Sequence, residues 1–213
     1  MPNNKMLTAE EQSKLTPDKV IEILKQGNQE FVNCNSIFKN SKEHIHYTIK
    51  EQYPEAVVLS CIDSRVPVEE IFQCGVGDIF VVRVAGNIIN SDILGSLEFA
   101  CKVSGSKLVV VMGHEHCGAI KAAIDQVILG NLTGLINKIQ PAVDQSKANY
   151  EGEIKSSNAE FVEIVCQTNV KLMLHEIRKN SPILKEMEDN GEIKIVGAIY
   201  NMENGKVEFL ENK

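Results

Sequence analysis

In SKLVVVMGHEHCG, Ser106 to Gly118, an unbroken apolar run breaks off into glycine, histidine, acid, histidine and cysteine. A strand that is apolar at every position, and largely β-branched, has no solvent face. It is buried on both sides, as strands of parallel sheets are. A second run of the same kind, AVVLS at Ala56–Ser60, leads into Cys61-Ile62-Asp63-Ser64-Arg65. DIFVVRVAG, Asp78 to Gly86, reads as a further strand.

Between and after these runs the period changes to that of helices. SDILGSLEFACKVSG reads as a helix with Ser91 as its cap and Gly105 as its stop, and CGAIKAAIDQVILG as another. Two further helical segments run from about Leu132 to Asn180, and SPILKEMEDNG is a short helix. EIKIVGAIYNMENGKVEFL is a strand pair around the Asn204-Gly205 turn. Strands alternating with helices give an α/β fold, a central mostly parallel sheet flanked by helices. At 213 residues the chain is one domain, 1–213.

Residues 1 to about 50 form a helical arm. Thr16 caps its helix, Pro17 opens it, and Val20, Ile23, Leu24, Gly27 and Phe31 share one face. Such a face packs on the chain's own core or on a neighbouring subunit. A polar stretch, NSKEHIHYTIKEQYPE, joins the arm to the first strand, and His44, His46 and His175 read as solvated.

Composition narrows the function classes. A net charge of −7 argues against nucleic acid or an anionic membrane as partner. No apolar run approaches the ~20 residues that span a bilayer. MPNNKMLTAEEQSK lacks a signal-peptide core, so the expected compartment is the cytoplasm, or the periplasm if a leader has been removed. Six cysteines fit a reduced compartment or a metal site with ordinary buried thiols, although an even count also permits three disulfides. GVGD and VAGN are turn glycines, since no Gly-x-Gly-x-x-Gly opens a helix after a strand.

The chemistry lies where the apolar strands end, because ligands collect at the carboxyl ends of parallel strands. If Ala56–Ser60 and Leu108–Met112 are neighbours, Cys61, His114 and Cys117 converge. Two thiolates and an imidazole suit zinc, and three protein ligands leave the fourth position of a catalytic site open. His116 would close that position only by turning inward beside Cys117. Cys34, Cys74, Cys101 and Cys166 lack such neighbours and read as packing or surface thiols.

These residues resemble the β-class carbonic anhydrases. CIDSR matches that family's Cys-x-Asp-x-Arg motif and GHEHCG its His-x-x-Cys-Gly motif, and the likeness runs from Thr16 through the carboxyl-terminal strand pair. The resemblance implies zinc on Cys61, His114 and Cys117, one ion per chain, with Asp63 and Arg65 as a catalytic dyad. It implies substrate contacts from Gln52, nine residues before Cys61, from Phe80 and Ala85 in an apolar wall, and from the Gly118 amide. Phe99 stands where a partner subunit contributes an aromatic, often Tyr; here the hydroxyl is missing, and Ala85 is smaller than the usual Val. The arm is expected to pack on that partner, in a homodimer or a dimer-of-dimers tetramer. Another branch binds inhibitory bicarbonate using a Trp three residues before the first Cys; Val58 stands there and the chain has no Trp. That regulation is therefore not expected.

The expected reaction is reversible hydration of carbon dioxide to bicarbonate through a zinc-bound hydroxide. Zinc can bring the pKa of bound water from ~15.7 toward ~7, a benchmark that itself comes from a carbonic anhydrase with three imidazole ligands. Two thiolates leave more charge on the metal, so a higher value is expected here. Asp63, kept ionised by Arg65, would orient the hydroxide. Two rivals remain at this level. One is a zinc hydrolase of carbon disulfide or carbonyl sulfide on the same fold. The other is a non-catalytic zinc-stapled module, which leaves Asp63, Arg65 and Gln52 unexplained.

Overall fold

The computed structural model describes residues 6–35 and 41–210. Its elements in chain order are α1 (Ala9–Ser13), α2 (Pro17–Val32), α3 (Ser41–Thr48), β1 (Ala56–Ser60), α4 (Val68–Ile71) and β2 (Ile79–Arg83). Then follow α5 (Ser91–Glu98), β3 (Leu108–His114), α6 (Gly118–Ile124), α7 (Gly130–Ile136) and α8 (Gln140–Lys147). The chain closes with α9 (Ala159–Asn180), α10 (Pro182–Asp189), β4 (Lys194–Tyr200) and β5 (Val207–Phe209). The strands form one sheet in the order β2-β1-β3-β4-β5, parallel except for β5. It is the α/β sheet that the apolar runs predict.

Burial on both faces explains those runs. Val57, Leu59, Val109 and Val111 pack under Phe161, Val165, Val170 and Ile177 of α9. The alternate residues Ala56, Val58, Val110 and Met112 pack against Val20 and Leu24 of α2 and Val68 and Ile71 of α4. The arm helix thus seats its apolar face on its own chain's core. Gly27 makes the seat possible, because a Cβ there would stand 1.9 Å from the Phe72 carbonyl oxygen. Asn28 fixes the same joint: it donates to the Ile71 and Gly205 carbonyls and accepts from the Val207 amide.

Several local expectations need correcting. The cap of α5 is Asn90, whose side chain accepts from the Ile93 amide, so Ser91 is the first helical residue. That helix then widens into a π turn, Phe99–Val103, before Gly105 stops it at φ +82°. β2 ends at Arg83, and Ala85–Asn87 is a tight 3-10 turn with Gly86 left-handed at φ 68°. Three helices, not two, fill the stretch up to Asn180. The polar linker holds α3, whose His44 is 3 % exposed and so not solvated, whereas His46 and His175 are exposed. α1, closed by a reciprocal Thr8–Glu11 capping box, went unread because it is one turn long. Of the arm, residues 1–5 and 36–40 lie outside the described residues. Among the described residues no helix is long and apolar enough to cross a membrane.

Candidate metal centre

The register of β1 and β3 positions the donors. Ser60 pairs with Met112 in a parallel ladder, so both strands deliver their next residues to the same sheet end. Cys61 follows Ser60 directly, and His114 closes β3 opposite Tyr200 of β4. A tight turn through left-handed His116, φ 55°, brings Cys117 back before α6 begins at Gly118. The donor atoms of Cys61, His114 and Cys117, all buried, lie within 4.8 Å of one another. His116 is not in that group; its side chain is exposed.

This set fits a metal. His114 Nδ1 lies 2.8 Å from the Glu115 carbonyl, to which it donates, leaving Nε2 as the free lone pair. Nε2 is buried and has no hydrogen-bond partner among the described residues. A buried unpartnered imidazole nitrogen is costly unless it faces a cation or another donor. The sulfurs of Cys61 and Cys117 stand 3.9 Å apart. The Cys117 thiol holds Cys61 well below the ordinary thiol range, with help from the Gly86 and Asp63 amides and against the effect of burial. Cys117 is pushed up by the same contact, by burial and by the charge on Cys61. Two soft sulfurs sharing a proton beside an imidazole are a receptor for a thiophilic divalent ion. None of the six cysteines is in a disulfide, and Cys101 and Cys166 are buried.

Beside these three donors, Asp63 and Arg65 form a fork. Arg65 Nε donates to Asp63 Oδ1 at 2.9 Å and Nη2 to Oδ2 at 2.8 Å, while the Arg65 amide donates to Oδ1 at 3.0 Å. The acid closes its own Asx turn, which is why the pair needs only two residues of spacing. The Arg65 guanidinium lowers Asp63 to about 2, its backbone N–H adding to this against a partial desolvation. Both carboxylate oxygens are engaged, and Asp63 is outside the convergent donor set.

Sequence reasoning missed Arg83. From the end of β2 it donates to the Cys61 carbonyl at 2.9 Å and the Asp63 carbonyl at 2.6 Å, clamping the Cys61–Asp63 loop. The readable signal was an arginine closing an otherwise apolar strand. The Gly86 N–H, 3.3 Å from the Cys61 sulfur, was also missed.

The remaining candidates fall into two groups. Ala85 adjoins Gly86 in the turn that touches Cys61, and Gly118 is exposed at the first turn of α6, next to Cys117. Gln52, Phe80 and Phe99 are elsewhere. Gln52 is exposed and precedes β1, at the opposite end from Cys61; β1 alone separates them by ~17 Å at ~3.3 Å per residue. Phe80 pairs with Val57 near the start of β1, and its ring lies 6.3 Å from that of Phe99. Phe99 is 52 % exposed. Within one chain these three do not reach the Cys-His-Cys group.

Residues 56–207 match the family model described as carbonic anhydrase. The chain belongs to the β-class carbonic anhydrases. Carbonic anhydrase 2 of Mycobacterium tuberculosis is 33 % identical over 189 residues, covering 86 % of this chain and 87 % of the relative. A carbonic anhydrase of Mycolicibacterium smegmatis is 32 % identical over 193 residues, covering 87 % and 89 %. The crystal structure of the β-carbonic anhydrase CafA of Aspergillus fumigatus superposes with a TM-score of 0.71 at 27 % identity, covering 91 % of each chain. In this β-class chain, the matched span contains every element of the centre from Cys61 to Cys117.

Proposed function

We propose that this carbonic anhydrase hydrates carbon dioxide reversibly to bicarbonate and a proton on one zinc ion per chain, held by Cys61, His114 and Cys117. The observation that carries the reading is the convergence of these three buried donors around an unpartnered His114 Nε2. Bound zinc supplies a water activated for attack near neutral pH. Asp63 accepts a hydrogen bond from the attacking O–H and turns its lone pair toward the carbon. Arg65 keeps that carboxylate ionised and engages both its oxygens, so Asp63 stays an acceptor and does not become a ligand. Arg83 holds the Cys61 and Asp63 carbonyls, which fixes the distance between ligand and acceptor. Ala85 presents an apolar surface to a substrate with no charge, and the exposed Gly118 amide meets a substrate oxygen.

Gln52, Phe80 and Phe99 act across an interface, on the centre of a second subunit. Their separation from Cys61 within the chain supports this. So does the surface depression of about 480 Å³ lined by Phe80, Val82, Gly95 and Phe99 beside the edge strand β2. The active unit is then a homodimer, alone or paired into a tetramer.

The deciding measurement is carbon dioxide hydration by zinc-loaded and zinc-stripped protein. Rapid turnover that is lost with the metal and restored by zinc is expected. Turnover of carbonyl sulfide or carbon disulfide with none of carbon dioxide would overturn the substrate; one zinc bound with no turnover of any of them would make it a structural staple.

A further inference from the structure

We infer that Asn169 is a positioning residue of the metal centre, which, by holding the Gly86 carbonyl, fixes the Gly86 N–H on the Cys61 sulfur. The inference rests on Cys61 being a metal ligand. Asn169 lies on α9 among Val162, Val165, Cys166, Val170 and Met173, all buried, and is itself 1 % exposed. An amide at such a position is costly to desolvate unless its bonds matter. Its Nδ2 donates to the Gly86 carbonyl at 3.0 Å, and its Oδ1 has no partner among the described residues. It is therefore placed for that one bond.

Gly86 needs holding. It is left-handed at φ 68°, ψ 19°, and the next residue, Asn87, is left-handed too at φ 43°. A non-glycine residue in that region is unusual and requires support from its surroundings. A Cβ on Gly86 would stand 2.6 Å from Ile139 Cδ1 and 3.2 Å from Ala119 Cβ, so the turn is pressed between neighbours on its open side. The Gly86 N–H reaches the Cys61 sulfur at 3.3 Å, and its carbonyl, on the other side, is tied to α9. Releasing the carbonyl frees this residue to rotate its N–H off the sulfur. One turn earlier on the same helix face, the Cys166 thiol donates to the His114 carbonyl at 3.3 Å. Thus α9 holds the Gly86 turn, which serves Cys61, and the backbone of His114 itself.

A hydrogen bond to a ligand thiolate draws charge from the sulfur and orients its lone pairs, so it tunes the metal without touching it. Replacing Asn169 leaves the ligands in place and changes the sulfur through the Gly86 N–H. The test uses cobalt(II)-substituted protein, whose thiolate-to-metal charge-transfer band reads the sulfur directly. In Asn169→Leu, and in the smaller Asn169→Ser should the first fail to fold, the band moves to longer wavelength. With zinc, kcat falls about 10-fold while KM is little changed. Thr168→Val is the control, because it breaks the Ser146–Thr168 bond between α8 and α9, 3.1 Å, without touching Gly86. It should leave the band where it is.

An unmoved band in the Asn169 variants, or an equal shift in Thr168→Val, overturns the inference while leaving the metal reading intact. Wild-type protein that binds cobalt with no thiolate band overturns both. Hydrogen exchange of metal-loaded wild type is an arm that needs no variant. The Gly86 amide is expected to be strongly protected, and exchange at the rate of an open loop counts against the inference.

Discussion

At the scale of single residues, the centre depends on protons as much as on geometry. Contact between the two thiols lowers Cys61 and raises Cys117, so a proton shared by the pair is one that an incoming divalent ion would displace. Metal binding therefore releases a proton, and retention should weaken as pH falls. Competition against a chelator from pH 8 to pH 5 checks this; affinity independent of pH would contradict it. Cys61→Ala and Cys117→Ala should lose most of their zinc by elemental analysis, and Cys101→Ala, though equally buried, should keep it. Asp63 behaves differently. Its pKa is depressed from 3.8 to about 2, so its pairing stabilises the fold above the unfolded value and is lost only as pH falls through about 2. Across the working range it does not titrate. The rate of carbon dioxide hydration should rise with pH as a single-proton curve, with no abrupt loss below neutrality. Arg65→Ala should retain zinc and be nearly inactive, because the released carboxylate is free to become a ligand; near-normal turnover would refute that role.

At the scale of elements, what the sequence revealed and what it hid have separate physical causes. β1 and β3 were legible because burial on both faces forces all but their last positions to be apolar, and the motif residues stand at the strand ends. α1 and α3 were hidden, being five and eight residues long with too few turns to show a period. His44 is buried within a stretch that reads as a polar linker. Arg83 and Gly86 were hidden for another reason. Their contacts to the ligand loop cross 20 to 25 residues of chain, and nothing local announces them. α2 offers a test of docking against propensity. Gly27→Ala gains roughly 1 kcal/mol of helix propensity. It also drives a Cβ to within 1.9 Å of a backbone oxygen on the neighbouring segment, which cannot turn aside as a side chain can. The clash should win, since overpacking costs roughly 1–3 kcal/mol, leaving a net destabilisation of up to about 2 kcal/mol in denaturant unfolding. A variant as stable as the parent would show that the arm does not need this close seat.

At the scale of the whole molecule, one chain divides its candidate site residues between opposite ends of the sheet. Cys61, Asp63, His114, Cys117 and Gly118 gather at the carboxyl ends of β1 and β3, while Gln52 lies beyond the amino end of β1. Phe80 and Phe99 meet near that end, along the edge strand β2. A centre completed by a second subunit makes a demand that a self-sufficient chain does not: two differently broken subunits must repair each other. In a hybrid of Cys61→Ser with Gln52→Ala, one centre takes its ligands from the Gln52→Ala subunit and its glutamine from the Cys61→Ser subunit. That centre is whole, and the other is doubly broken. Each homodimer should be weak or dead, and the isolated hybrid should recover about half of the wild-type kcat per dimer, one site in two. If each chain built its site alone, the hybrid would contain one metal-free site and one lacking glutamine, and could not exceed the mean of its parents. Differently tagged subunits, co-expressed and purified through both tags, give the hybrid free of its parents. Activity at or below the parental mean would remove the shared site, and with it the reason for Gln52, Phe80 and Phe99 to stand so far from the Cys-His-Cys group of their own chain.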